Sequence, residues 1–164
     1  MQTQKEFLQL VQQNKGIILK LVGLYVNNKE DEKDLYQEVL FQTWKAWPSF
    51  RQESKFSTWL YRISLNTILT HKRKVNKLAF TDRIEDYAST VPHRSDMIED
   101  SQQLNQAIRQ LPETDRAIIT LHLDGYTNPE IADIIGISNN NTGVKLYRIK
   151  NQLTQYLNPS HGKS

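Results

Sequence analysis

From Asn139 to the end of the chain there is no acidic residue. The stretch NNNTGVKLYRIK places Asn139, Asn140 and Asn141 just ahead of Lys145, Tyr147, Arg148 and Lys150. Asn can pair bidentately with adenine, Arg can read guanine, and Lys neutralises phosphate. Val144 or Thr142 can meet a thymine methyl. A second stretch, FSTWLYRISLNTILTHKRK, sets Phe56, Trp59 and Tyr61 among Arg62, Asn66, His71, Lys72, Arg73 and Lys74. Arg62, Asn66 and Arg73 are spaced by four and seven, roughly one helical face. Cations on such a face can track phosphates, and neighbouring rings can stack unpaired bases, at about 1–3 kcal/mol each. The first stretch suits duplex DNA, the second melted or single-stranded DNA.

Each stretch also has a plainer reading. The asparagines can form a solvated loop before a shorter helix. Phe56 and Trp59 can be core residues beneath a solvated basic face, Trp59 more readily than Phe56. A third stretch, DLYQEVLFQTWKAW, is too aromatic for an ordinary surface helix. Leu35, Val39 and one tryptophan suffice to pack it. A strip of Asp34, Gln37, Glu38 and Phe41 then remains for a protein partner, unless the helix is wrapped on all sides.

Other chemistries are excluded by what the chain lacks. It has no cysteine, so disulfides, cysteine-ligated zinc and thiol catalysis are ruled out. His71, His93, His122 and His161 show no metal-ligand spacing. No Gly-rich phosphate loop appears, and neither does a nucleophile–base pair or a carboxylate metal cluster. We therefore expect no catalytic residue, no metal, no cofactor and no small-molecule substrate. No apolar run approaches the roughly 18 residues of a membrane span, and MQTQKEFLQL does not read as a signal peptide. A soluble, cytoplasmic protein is expected.

These groups sit in a chain of 164 residues with net charge +3, enough for one compact domain or two small ones. Charge varies by segment. Residues 51–78 hold seven bases and one acid, whereas residues 79–101 hold two bases and six acids. Two basic blocks separated by an acidic stretch suggest two seats for a polyanion.

Period-two alternation is rare, and apolar residues recur at three and four, so the elements are helices. Phe7, Leu8, Val11, Ile17, Ile18, Leu21, Val22 and Tyr25 define a first helical region, loosened at Gly16. NNKEDEKD reads as a polar break, with Asp34 capping a second helix through Leu35, Val39, Leu40, Trp44 and Trp47 to Pro48. After the polar loop SFRQESK, a third helix runs from Phe56 to about Val75. Residues 79–101 read as a linker. Leu104, Ala107, Ile108 and Leu111 begin a second helical set. Glu113 or Thr114 opens the next helix, and Pro129 follows a cap at Thr127 or Asn128. Gly136 ends a short helix, Ile137 fills the turn, and Ser138 caps the last helix, with Val144, Leu146, Ile149 and Leu153 on its buried side. Residues 128–150 thus have the layout of a helix-turn-helix.

At this point the chain resembles the extracytoplasmic-function (group 4) sigma factors of bacterial RNA polymerase, within the sigma-70 family. DLYQEVLFQTWKAW with FRQESKFSTWLYRISLNTILTHKRK resembles sigma region 2. LPETDRAIITLHLDGYTNPEIADIIGISNNNTGVKLYRIKNQL resembles region 4. The resemblance implies an all-α fold of two small helical domains. Residues 1–78 would be the region 2-like domain, 79–101 a flexible acidic linker, 102–158 the region 4-like domain and 159–164 a disordered tail. It implies a factor that binds core polymerase and directs promoter-specific initiation. Asp34, Gln37, Glu38 and Phe41 would meet the clamp helices of the largest subunit, and the flap would be a further polymerase contact. The loop from Ser49 to Ser57 and the following helix would recognise and melt the −10-type element, capturing a flipped base. Phe56, Arg62 and Asn66 are the candidates for that capture, and Lys72 and Arg73 would take phosphates. Asn140, Gly143, Val144, Lys145, Tyr147 and Arg148 would face the −35-type element. The linker would lie in the nascent-RNA channel. An anti-sigma factor, free or membrane-anchored, would hold the protein in check.

One departure stands out. Many members open the last helix with Gly-Thr-Val and then a basic residue, whereas here Asn140-Asn141-Thr142-Gly143 fills those places. Gly143 has no side chain with which to read a base. Two other readings stay open on the residues alone. A conventional helix-turn-helix regulator would bind a palindrome without polymerase. A helical interaction protein would not use DNA.

Overall fold

A computed structural model of the chain describes residues 3–82 and 99–158. The described residues form seven α-helices and one 3-10 turn, with no strand among them. The chain divides into two compact units, Met1–Pro92 and His93–Ser164.

The first unit packs three helices against one another: α1 (Gln4–Tyr25), α2 (Lys29–Ala46) and α3 (Phe56–Asp82). Thr3 caps α1 reciprocally with Glu6. The Glu6 N–H donates to Thr3 Oγ1 at 3.1 Å, and the Thr3 N–H donates to Glu6 Oε1 at 3.2 Å. This capping box satisfies two helix-end donors. The helix then runs through Gly16 unbroken, so the expected loosening is absent. Its buried side comprises Phe7, Val11, Ile18, Leu21, Val22, Leu24 and Tyr25, while Leu8 lies on the exposed side.

Helix α2 starts earlier than the sequence pattern suggested. Its cap is Asn28, whose Oδ1 accepts the Asp31 N–H at 2.8 Å. Glu30, Asp31 and Glu32 fill the first turn, where negative charge meets the positive end of the helix dipole. The supposed polar break is therefore a charged helix start, and Asp34 lies inside the helix. Only Leu35, Val39 and Thr43 are buried, a stripe at four-residue spacing. The Thr43 hydroxyl donates to the Val39 carbonyl at 2.6 Å. Pro48 closes the helix into the 3-10 turn Trp47–Ser49.

Trp47 sits at the hub of an aromatic cluster. Its ring centroid lies 5.3 Å from Phe7, 5.7 Å from Phe50, and 6.2 Å from both Phe56 and Trp59. Phe50 and Phe56 are 5.8 Å apart and bracket the loop between them. All five loop residues, Arg51 to Lys55, are exposed. Gln52 turns the chain with φ of 61°, in the left-handed region that side chains other than Gly, Asn and Asp rarely enter. The loop is a short, sharply bent protrusion clamped at both ends by buried rings.

Helix α3 continues to Asp82, past the expected end near Val75, and α4 begins at Glu99. Both ends of the expected linker are thus helical; its remainder, residues 83–98, and the expected tail, 159–164, lie outside the described residues.

The second unit holds α4 (Glu99–Arg109), α5 (Glu113–Leu123), α6 (Asn128–Ile135) and α7 (Asn139–Leu157). α7 packs against all three others. Ala107, Ile108, Leu111, Ile118, Ile119, Leu121, Ile131, Leu146 and Ile149 are buried to within 3–4% or better and form its core. Thr127 and Glu130 form a second capping box at the start of α6. Gly136 ends that helix at φ 90°, and its N–H donates to the Ala132 carbonyl at 2.8 Å. A side chain at this φ is strained, so a glycine is required. Ile137 is half-buried in the turn. Ser138 Oγ accepts the Asn141 N–H at 3.0 Å and starts α7. The caps and turn therefore fall where the sequence placed them.

Candidate nucleic-acid interface

The helix-turn-helix holds α7 by one side and leaves the other open. Thr142, Leu146, Ile149 and Leu153 are buried. Thr142 fills a core position despite its hydroxyl, because Oγ1 donates to the Ser138 carbonyl at 3.0 Å. It is not available to touch a base. Val144, which spacing put on the buried side and the resemblance put on the −35-facing side, is 52% exposed, and Tyr147 is 71% exposed. Asn139, Asn140, Asn141, Arg148 and Lys150 are exposed, while Gly143 and Lys145 are half-buried.

Asn140, the adjacent pair Gly143 and Val144, and Tyr147 recur at three- and four-residue spacing along one face. They line a shallow hollow together with Asn139 and with Asn128 from the start of α6. A Cβ on Gly143 would lie 3.7 Å from Asn128 Nδ2. Lys145 and Arg148 flank this face. The structure thus gathers four of the six upstream-element candidates at one concavity and adds Asn128 and Asn139 to it. Asn128 reads in the sequence only as a helix-start residue. Its place beside Gly143 depends on how α6 crosses α7.

Elsewhere in this unit, on α5, His122 titrates below its ordinary value of 6.5, first because burial disfavours the charged ring and second because Lys150 repels it.

In the first unit, Arg62, Asn66 and Arg73 are exposed on α3 and Lys72 is half-buried. Phe56 is only 8% exposed, packed against Trp47, Phe50 and Trp59. Its ring is not offered for stacking, because the cluster needs it to anchor the loop. Tyr61, an aromatic set among bases in the sequence, is also core, at 1% exposure. Lys20 Nζ lies 5.7 Å from its ring centre.

Asp34, Gln37, Glu38 and Phe41 are all exposed along α2. Phe41 is 54% exposed, with Lys45 Nζ 5.4 Å from its ring centre. The Gln42 amide donates to Glu38 Oε2 at 2.9 Å. Asp34 and Glu38 share a groove between α2 and α3 with Asn66, Thr70, His71 and Lys74. Asn66 therefore shares this groove with the acids of α2.

Comparison with known proteins agrees with this architecture. Residues 10–78 match sigma-70 region 2, and residues 101–153 match sigma-70 region 4. The chain is 28% identical to the RNA polymerase sigma-H factor of Pseudomonas aeruginosa, over 87% of this chain and 81% of that one. It is 29% identical to the ECF RNA polymerase sigma-E factor of Escherichia coli K12, over 95% and 88% of the two chains. Its fold is shared with the sigma factor RpoE of Bartonella quintana, solved in complex with the anti-sigma factor NepR, at a TM-score of 0.78. That pair is 21% identical, with 93% of this chain and 97% of the other covered. CnrH, solved in complex with the cytosolic domain of CnrY, matches at a TM-score of 0.69 and 21% identity, over 96% and 90% of the chains.

The chain belongs to the sigma-70 family, in its extracytoplasmic-function group. Its function is that of this group, to direct promoter-specific initiation of transcription. Among the described residues, no helix is long and apolar enough to cross a membrane.

Proposed function

We propose that the chain divides this task between its two units. Residues 102–158 bind the −35-type element through Asn140, Gly143, Val144, Lys145, Tyr147 and Arg148. Residues 1–78 bind core polymerase and open the −10-type element. Arg62, Asn66, Lys72 and Arg73 meet that DNA, and the exposed loop 51–55 takes the flipped base. Phe56 contributes by fixing the loop rather than by stacking. Asp34, Gln37, Glu38 and Phe41 meet the polymerase clamp helices. The polymerase supplies all the chemistry, and this chain is not an enzyme. It works in the cytoplasm.

The observation that carries this reading is the face of α7. It is exposed, acid-free and rich in Asn, with cations on its flank, and it is presented by a turn that ends in Gly136 and Ser138. Helix-turn-helix proteins place such a face in the major groove. Capture of unpaired bases by the first unit offsets the cost of unstacking, a few kcal/mol for a flipped base. A short basic face binds weakly at physiological salt, so the two contacts act together.

An anti-sigma factor is the proposed inhibitor, supported by the complex in which the Bartonella relative was solved. The test of the central assignment is charge reversal at Lys145 and Arg148 in reconstituted holoenzyme. Loss of binding to upstream-element DNA with polymerase binding intact is the expected result. Unchanged promoter binding would contradict it.

A further inference from the structure

Gly143 lies in the second turn of α7, inside a helix, where glycine is less stable than alanine. Neither structural reason for a glycine applies. Gly125 and Gly136 are the glycines with positive φ among the described residues, and Gly143 is not one of them. A Cβ built on it would make only the ordinary 3.7 Å contact with Asn128 Nδ2. The fold would accept alanine there.

What the missing methyl changes is the outer surface. Gly143 lies in the wall of a hollow whose other lining residues are Asn128, Asn139, Asn140, Val144 and Tyr147. No charged side chain lines it, so it is a poor seat for a phosphate. Val144 and Tyr147, 52% and 71% exposed, provide apolar walls, and the asparagine amides provide donors and acceptors. In the major groove the apolar protrusion beside such donors and acceptors is the C5 methyl of thymine.

We propose that this hollow receives a thymine methyl of the −35-type element, so that Gly143 specifies a base through the space it leaves. Val144 and Tyr147 enclose the methyl, and Asn139 or Asn140 contacts an adjacent base edge. This inference rests on the assignment of α7 to the upstream element and deepens it.

The test uses holoenzyme reconstituted from the full chain and bacterial core polymerase, with a promoter selected from a randomised library. Each thymine of the upstream element is replaced in turn by uracil, which removes only the methyl. Burial of one methyl predicts binding about three- to fivefold weaker at one position, with the other positions near unity. Gly143→Ala puts a methyl into the hollow beside Asn128 and should reduce the thymine–uracil difference there, while its melting temperature stays equal or rises. Val144→Ala should reduce the same difference. If no position responds to uracil, yet scrambling the upstream element still abolishes binding, the methyl pocket is wrong and the assignment of α7 stands. Retention of the full difference in Gly143→Ala also overturns it. If scrambling has no effect, the assignment of α7 itself fails.

Discussion

At their proposed DNA-facing sites the two units use aromatic residues in opposite ways. In the first, Phe7, Trp47, Phe50, Phe56 and Trp59 turn toward one another, and what they present is the loop between Phe50 and Phe56. In the second, Tyr147 stands outside on the functional face. The difference follows from the element that carries each site. A loop has few backbone hydrogen bonds of its own and must be clamped by packing. A helix satisfies its own backbone and needs only good ends, which Ser138 and Gly136 supply.

The strongest way to break this contrast is to remove the clamp. Trp47→Ala should destabilise the first unit by about 3–5 kcal/mol, because it empties the centre of a packed cluster. Tyr147→Ala should stay within about 0.5 kcal/mol of the parent, as expected of a surface change. Urea unfolding of each variant measures both. Similar losses for the two would erase the distinction.

The next largest effect concerns binding. Lys145→Glu combined with Arg148→Glu should weaken holoenzyme binding to upstream-element DNA by about a hundredfold and reduce its salt dependence. Arg148→Ala alone should act in the same direction and less strongly. On the first unit, Phe41→Ala should weaken core polymerase binding by about tenfold or more, the scale of a central interface aromatic, without changing the melting temperature. A titration of labelled core enzyme reads this directly.

Smaller effects sharpen the account of the helix ends. Ser138→Ala should cost about 1 kcal/mol, the typical value of an N-cap, and Ser138→Asp should restore it. The weakest effect is the pH dependence set by His122. Its pKa is lowered in the folded state by burial and then by Lys150. The unfolded chain therefore binds the proton more readily. Stability is fully present above the unfolded pKa, about 6.5, and is lost as the pH falls through that value toward the folded one. The melting temperature of the second unit should thus be lower at pH 5.5 than at pH 7.5, and His122→Gln should flatten that slope.

What the sequence revealed and what it hid have the same physical origin. Features set by neighbours along the chain were legible. Thr127, Gly136 and Ser138 act on groups three or four residues away, and the helix-turn-helix they define was read correctly. Helical spacing offered the strip of Asp34, Gln37, Glu38 and Phe41 beside a fully wrapped alternative, and the four residues are exposed. Features set by distant partners were not legible. Phe56 and Tyr61 sit beside cations in sequence, yet they are buried because Trp47, Phe50 and α1 cover them. Val144 carried two readings, buried side by spacing and base contact by chemistry; it is exposed, because Thr142 takes the buried position one turn before Leu146. The start of α2 was missed for another reason. Asn28 followed by three acids resembles a solvated break, although acids suit the first turn of a helix.

The central claim is that two helical units together select where polymerase begins. Run-off transcription with core enzyme over a promoter library tests it most directly. The account predicts initiation at defined positions downstream of paired elements, lost when either element is scrambled. Start sites indistinguishable from those of core enzyme alone would contradict it.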